Sequence, residues 1–164
     1  MKEYFSEAIV LDRENSGDQD LRVSLLTKRF GKLTGKVKSA RKITSKLAGH
    51  LLPADLVKAR FIEKNGLQLV DALKIGEVKA DVFDLARIKR VLGEAEADAE
   101  LWSSLSGGKV VWREILQKLG WDPAEAVCDV CKAPEAAGFH MPSQTFFCKN
   151  CVSRSAQDEV ILIG

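Results

Sequence analysis

The chain contains four cysteines, arranged as two Cys-x2-Cys pairs, Cys128/Cys131 and Cys148/Cys151, with sixteen residues between the pairs. Each pair is close enough to offer two thiolates to one ion, and two facing pairs complete the tetrahedral sulfur shell of a closed zinc site. Such a shell leaves no open position for a substrate or an activated water. The pattern therefore points to a structural metal, with Cys128, Cys131, Cys148 and Cys151 as its ligands in a module spanning about residues 126–154. Two disulfides, or a redox or iron role, are the alternatives that spacing leaves open. Persistent free thiols fit a reducing compartment, and no apolar run approaches a membrane span, so a cytoplasmic protein is expected.

Charge is informative only in its distribution. The net charge is +2, yet no Asp or Glu occurs between Leu21 and Ala54, where nine basic residues fall, while Glu94, Glu96, Asp98 and Glu100 gather further on. A basic face of this kind suits a phosphate backbone. Lys28, Arg29, Lys32, Lys36, Lys38, Arg41, Lys42 and Lys46 are the candidate contacts, with steep salt dependence as the expected signature. Phe30 is the one aromatic inside that run, which favours backbone binding over base readout.

The first 75 or so residues read as strands. Tyr4–Leu11 is apolar, 15–18 is turn chemistry, and Leu21, Val23 and Leu25 alternate with Arg22 and Ser24. Leu33, Gly35 and Val37 then face one way and Lys32, Thr34, Lys36 and Lys38 the other, so these lysines are expected to share an exposed face. Val57, Ala59 and Phe61, a turn at 64–66, and 67–75 complete five strands. Five short strands fit a small barrel of the oligonucleotide-binding (OB) kind, although periodicity alone does not separate this from another small barrel. After Gly76 the period becomes helical. One amphipathic helix is expected over about 81–101, a break at 106–108, and a second helix over about 109–119. The tail, 159–164, is too short to place.

Enzymatic chemistry is poorly supplied. His50 sits among apolar residues, and His140 reads as an exposed loop residue that a four-cysteine shell does not need. A zinc deaminase needs a His-x-Glu ahead of its cysteines, and neither histidine has that neighbour. Walker, nucleophile-elbow and His-Glu-x-x-His motifs are absent. A non-enzymatic binding protein is the expectation.

The segments 16–33, 38–47 and 49–53, the hairpin over 61–72 and the two cysteine pairs, in that order, resemble the RecO family of bacterial recombination mediators. The resemblance implies an α+β protein, with an OB-fold nucleic-acid-binding domain over 1–78 and a helical domain carrying the zinc module over 79–164. It also implies a DNA repair and recombination role without turnover. Such a protein binds single- and double-stranded DNA, anneals complementary strands and, with RecR and often RecF, helps RecA displace single-strand-binding protein. By position it assigns DNA contacts to Lys28, Arg29, Lys32, Lys38, Arg41, Lys42 and Lys46, and one Zn2+ to the four cysteines. The chain departs from the family pattern at Ser39, in place of a glycine, and at 145–147 ahead of the second cysteine pair. The family also continues with helices that contribute to the single-strand-binding-protein site, so this chain reads as a short variant or an incomplete one. The rival reading is an OB-fold and zinc-ribbon protein that binds RNA or serves a transcription or translation complex.

Overall fold

The computed structural model describes residues 2–38 and 47–164. The chain divides into two compact units, residues 1–109 and 110–164.

In the first unit, strands β1 (Lys2–Ser16), β2 (Asp20–Thr27), β3 (Gly31–Val37), β4 (Asp55–Glu63) and β5 (Leu67–Glu77) close into a barrel in the order β1-β2-β3-β5-β4. This is the OB architecture. The alternation that marks the strands in sequence also fills the barrel, because Val10, Val23, Leu25, Val57, Phe61 and Leu69 all turn inward and are buried. β1 outruns the apolar stretch at 4–11. A register shift between Val10 and Asp12 carries it on to pair Arg13 with Val23 and Asn15 with Leu21. Bulges of this kind bend a strand enough to serve two neighbours, here β4 along its first half and β2 along its second.

The barrel's weakest seam lies between β3 and β5, which meet at the single pair Lys36 and Gln68. Residues 93–97 supply what is missing there. Glu94 forms a parallel bridge with Lys32, and the Ala95 N–H donates to the Lys32 carbonyl at 2.8 Å. The Glu94 carboxylate accepts from Thr34 N at 3.2 Å and from Thr34 Oγ1 at 2.7 Å.

That seam explains why the single helix expected over 81–101 is two. α1 (Val82–Val91) starts at Asp81, whose carboxylate accepts from the backbone of Phe83 and Asp84. It buries Leu85 and Ile88 and ends at Leu92. The chain then passes along β3 and turns at Ala95, φ 59°, before Asp98 caps α2 (Ala99–Ser106). The apolar spacing continues through the break, but the Ala95 N–H there goes to β3 instead of to the preceding turn.

The same contact corrects the expected lysine face. Lys32 is buried at 9% exposure. Its ammonium donates to the carbonyls of Lys89 at 2.9 Å and Leu92 at 2.7 Å, and lies 3.5 Å from Glu94. A cation suits these orphan carbonyls at the C-terminal end of α1. Lys32→Met keeps the apolar stem and strands the acceptors, so a loss of about 1–3 kcal/mol in thermal or urea unfolding is expected. Lys36→Met, at a half-exposed ion pair with Asp20, should cost under about 1 kcal/mol.

α1 and the 93–97 segment pack on β1 and β3, and α1 and α2 belong to the barrel's unit. The structural division at 109/110 therefore differs from the 78/79 boundary drawn from sequence.

The second unit contains α3 (Trp112–Lys118), shorter than the 109–119 expected, with Ile115 and Leu116 buried. It also holds a three-stranded sheet ordered β7-β6-β8, built from β6 (Gly138–His140), β7 (Thr145–Phe147) and β8 (Val160–Leu162). α4 (Lys149–Ser153) follows β7 directly. The tail is thus a strand, with Val160 and Ile161 buried and Leu162 exposed. Among the described residues, no helix is long and apolar enough to cross a membrane.

Candidate metal centre and nucleic-acid interface

Two short turns bring the cysteines together. The first pair flanks a turn in which Lys132 N–H donates to the Cys128 carbonyl at 2.9 Å and Cys128 N–H to the Ala133 carbonyl at 2.9 Å. The second pair opens α4, with Cys148 at its N-cap and Val152 N–H donating to the Cys148 carbonyl. Asp129 N–H donates to the Phe146 carbonyl at 2.9 Å and so ties one turn to the strand that leads into the other. Beneath them, Phe147 packs with Cys128 and Cys148.

All four Sγ atoms lie within 4.8 Å of one another, and Cys131 and Cys148 are 3.6 Å apart. Sulfurs on a zinc tetrahedron with bonds of about 2.3 Å stand roughly 3.8 Å apart, so the donor set fits. All four are free thiols. Convergence on one point is what a shared ion requires and what two separate disulfides would not. Burial pushes the Cys128 thiol up, but backbone N–H groups of Cys131, Cys148 and Val130 outweigh it and bring it to about 6. The Cys151 N–H likewise holds Cys148 below its ordinary value, against burial. Cys151 itself is pushed up to about 12, by burial first and then by the neighbouring sulfurs. Crowded sulfurs cannot all ionise without a cation among them, and backbone donors aimed at sulfur favour the thiolates that a cation takes. The group can hold one metal ion.

Neither histidine joins it. His140 is a β6 residue and not the exposed loop residue expected. Its ring stacks on Phe147 at 4.6 Å, Nδ1 pairs with Ser143 Oγ at 2.6 Å, and Nε2 lies 3.4 Å from Glu159. His50 Nδ1 accepts from the Lys74 N–H at 3.1 Å, which holds it at the barrel wall.

The basic run is divided by the β2–β3 hairpin. Lys28 and Arg29 are exposed at its turn, where Lys28 is 3.9 Å from Glu7 and Arg29 donates to the Phe5 carbonyl at 3.2 Å. Lys36 and Lys38 lie exposed at the far end of β3, about 20 Å away at ~3.3 Å per residue. Arg22 sits opposite Lys36 in the ladder and is also exposed, so it joins that second group. Cross-strand register, which a linear reading does not supply, is the signal that adds it. Lys32 is withdrawn from the exposed face by burial. Arg41, Lys42 and Lys46, together with Ser39, lie outside the described residues.

Comparison with known proteins gives a consistent picture. A family model described as "Recombination protein O N terminal" matches residues 1–78. Three curated relatives are each named DNA repair protein RecO. The protein of Syntrophobacter fumaroxidans is 36% identical over 77 residues, covering 47% of this chain and 31% of the relative. That of Myxococcus xanthus is 33% identical over 103 residues, covering 62% and 42%. That of Thermodesulfovibrio yellowstonii is 30% identical over 176 aligned positions, covering 92% and 70%. The chain thus spans less than half the length of the first two relatives and over two thirds of the third.

Proposed function

This chain belongs to the RecO family, and from that premise we propose that it is a non-enzymatic DNA repair and recombination protein. It binds single- and double-stranded DNA along the β2–β3 side of the barrel and anneals complementary strands. In the cell it would act with RecR and RecF in loading RecA onto strands covered by single-strand-binding protein. The observation that carries the binding step is the pair of exposed cationic groups, Lys28 with Arg29 and Arg22 with Lys36 and Lys38, at the two ends of one hairpin on an OB barrel. Charges spaced along a strand suit a polyanion better than a compact ligand.

The metal centre has a different task. Cys128, Cys131, Cys148 and Cys151 would hold one Zn2+, which supplies a cross-link for a small fold and no reacting position. Arg41, Lys42 and Lys46 extend the proposed contact set in sequence.

Annealing of two complementary DNA strands, bare and coated with single-strand-binding protein, measured against salt, tests this reading. Acceleration that fades as salt rises is expected. The variant with Lys36, Lys38, Arg41 and Lys42 all changed to glutamate should bind every DNA sequence more weakly. Its salt slope should be shallower by about 0.7–0.9 per lost phosphate contact. An unchanged slope would place the interface elsewhere. Preferential capture of RNA over DNA in direct competition would favour the RNA-binding rival.

A further inference from the structure

Phe30 is the one aromatic within the basic run, but the fold gives it a partner from the start of β1. Tyr4 and Phe30 meet edge to face with ring centroids 5.1 Å apart. The Arg29 guanidinium carbon stands 5.2 Å from the centroid of the Phe30 ring. Tyr4 donates its hydroxyl to Glu63 Oε2 at 2.7 Å, which fixes the tyrosine ring against the turn between β4 and β5. With Leu33 and Leu67, these side chains line a cavity of about 350 Å³ that opens to solvent.

Each wall has a defined chemistry. Two rings and a guanidinium plane attract a flat π-system. Leu33 and Leu67 exclude water from its edge, and both rings are half-buried against the barrel core. The volume lies at the small end of ligand sites, enough for one planar ring system and too little for a folded chain. Arg29 also brings a positive charge to this lining, where an anionic backbone would pass, while Lys28 in the same turn pairs with Glu7 at 3.9 Å. A lone aromatic metabolite would use the rings and leave the Arg29 charge without an anionic partner. A nucleotide within a strand uses both.

We propose that this cavity takes one unstacked nucleobase from a DNA strand lying on the β2–β3 turn, with Tyr4, Phe30 and Arg29 as its stacking walls. The inference rests on the DNA-binding reading above and adds a base-dependent contact to it. Stacking accepts any base, so it stays compatible with sequence-neutral binding.

The test compares the affinity of the full chain for a single-stranded oligodeoxynucleotide with its affinity for a strand of equal length and charge built wholly of abasic units, at one fixed salt concentration. The natural strand should bind about tenfold more tightly, the effect of roughly 1.4 kcal/mol and within the range for one stacked base. Phe30→Leu keeps apolar volume but removes the ring and should bring the two affinities together; Tyr4→Leu should act in the same direction. Equal affinity of the unaltered protein for both strands overturns the cavity assignment and leaves DNA binding standing, whether or not the variants fold. A preference undiminished in folded Phe30→Leu overturns it as well. Failure to bind either strand overturns the DNA-binding reading and the pocket with it.

Discussion

Cys148→Ser should unfold residues 126–154 while the barrel keeps its own unfolding transition. The apolar cluster at the knuckles contains Phe147 with Cys128 and Cys148, supported by Ala133, Cys151 and Val152, too little to hold two turns and a five-residue helix by burial alone. A structural zinc supplies about 10–16 kcal/mol of apparent binding energy in small modules, most of which is folding energy. Serine is a much poorer zinc ligand than a thiolate, and the change breaks the shell at the residue that also caps α4. Amide exchange resolved by segment reads the result, alongside metal stoichiometry by mass. The expected outcome is one zinc in the parent protein, its loss in the variant, and lost protection confined to the second unit. A metal-free variant with native protection at Cys128 and Phe147 would show that burial holds the turns without an ion.

The second large effect is expected at Gly31→Ala. Gly31 has φ 74°, and a methyl there would run into the backbone of Glu96, N, C and O alike. Backbone atoms cannot swing aside as the end of a side chain can. Left-handed strain and overpacking each cost about 1–3 kcal/mol, so a combined loss of about 2–6 kcal/mol is expected. For a domain of this size that lowers the midpoint of thermal unfolding by roughly 5–25 °C. The damage should spread from residues 93–97 into β3, visible as faster amide exchange at Ala95. Gly17→Ala is the control, since nothing lies within 4 Å of its added methyl; it should show only the left-handed cost. Equal midpoints for the two variants would mean that the 93–97 segment yields without penalty.

The elements that were legible in sequence are those whose pattern is local. Leu21, Val23 and Leu25, and then Val57, Ala59 and Phe61, alternate because one face fills the barrel, and the structure uses them so. The cysteine spacing also carries its meaning locally, and the four sulfurs do converge. What could not be read depends on partners far away in the chain. Lys32 looks exposed by strand alternation but turns under the end of a helix some sixty positions later, where carbonyls without hydrogen-bond partners outweigh the preference of an ammonium for water. Residues 93–97 continue a helical apolar rhythm, yet the Ala95 N–H is claimed by β3. Val160–Leu162 is too short to register as a strand until β6 offers its free edge. Tyr4 lies outside the basic run and reaches Phe30 only once β1 has wrapped the barrel.

The narrow seam between β3 and β5 also bears on where this protein can be cut. The family match ends at residue 78, and a fragment stopping there would retain all five strands. It would lack Glu94 and Ala95, however, and leave the Lys32 carbonyl and the Thr34 N–H on an open strand edge. Bare edges recruit other chains, so such a fragment is prone to self-association. A piece that keeps this edge covered has to include Glu94 and Ala95, and the compact unit that holds them runs to Lys109; the stretch after the barrel is thus an edge cover as well as a connector.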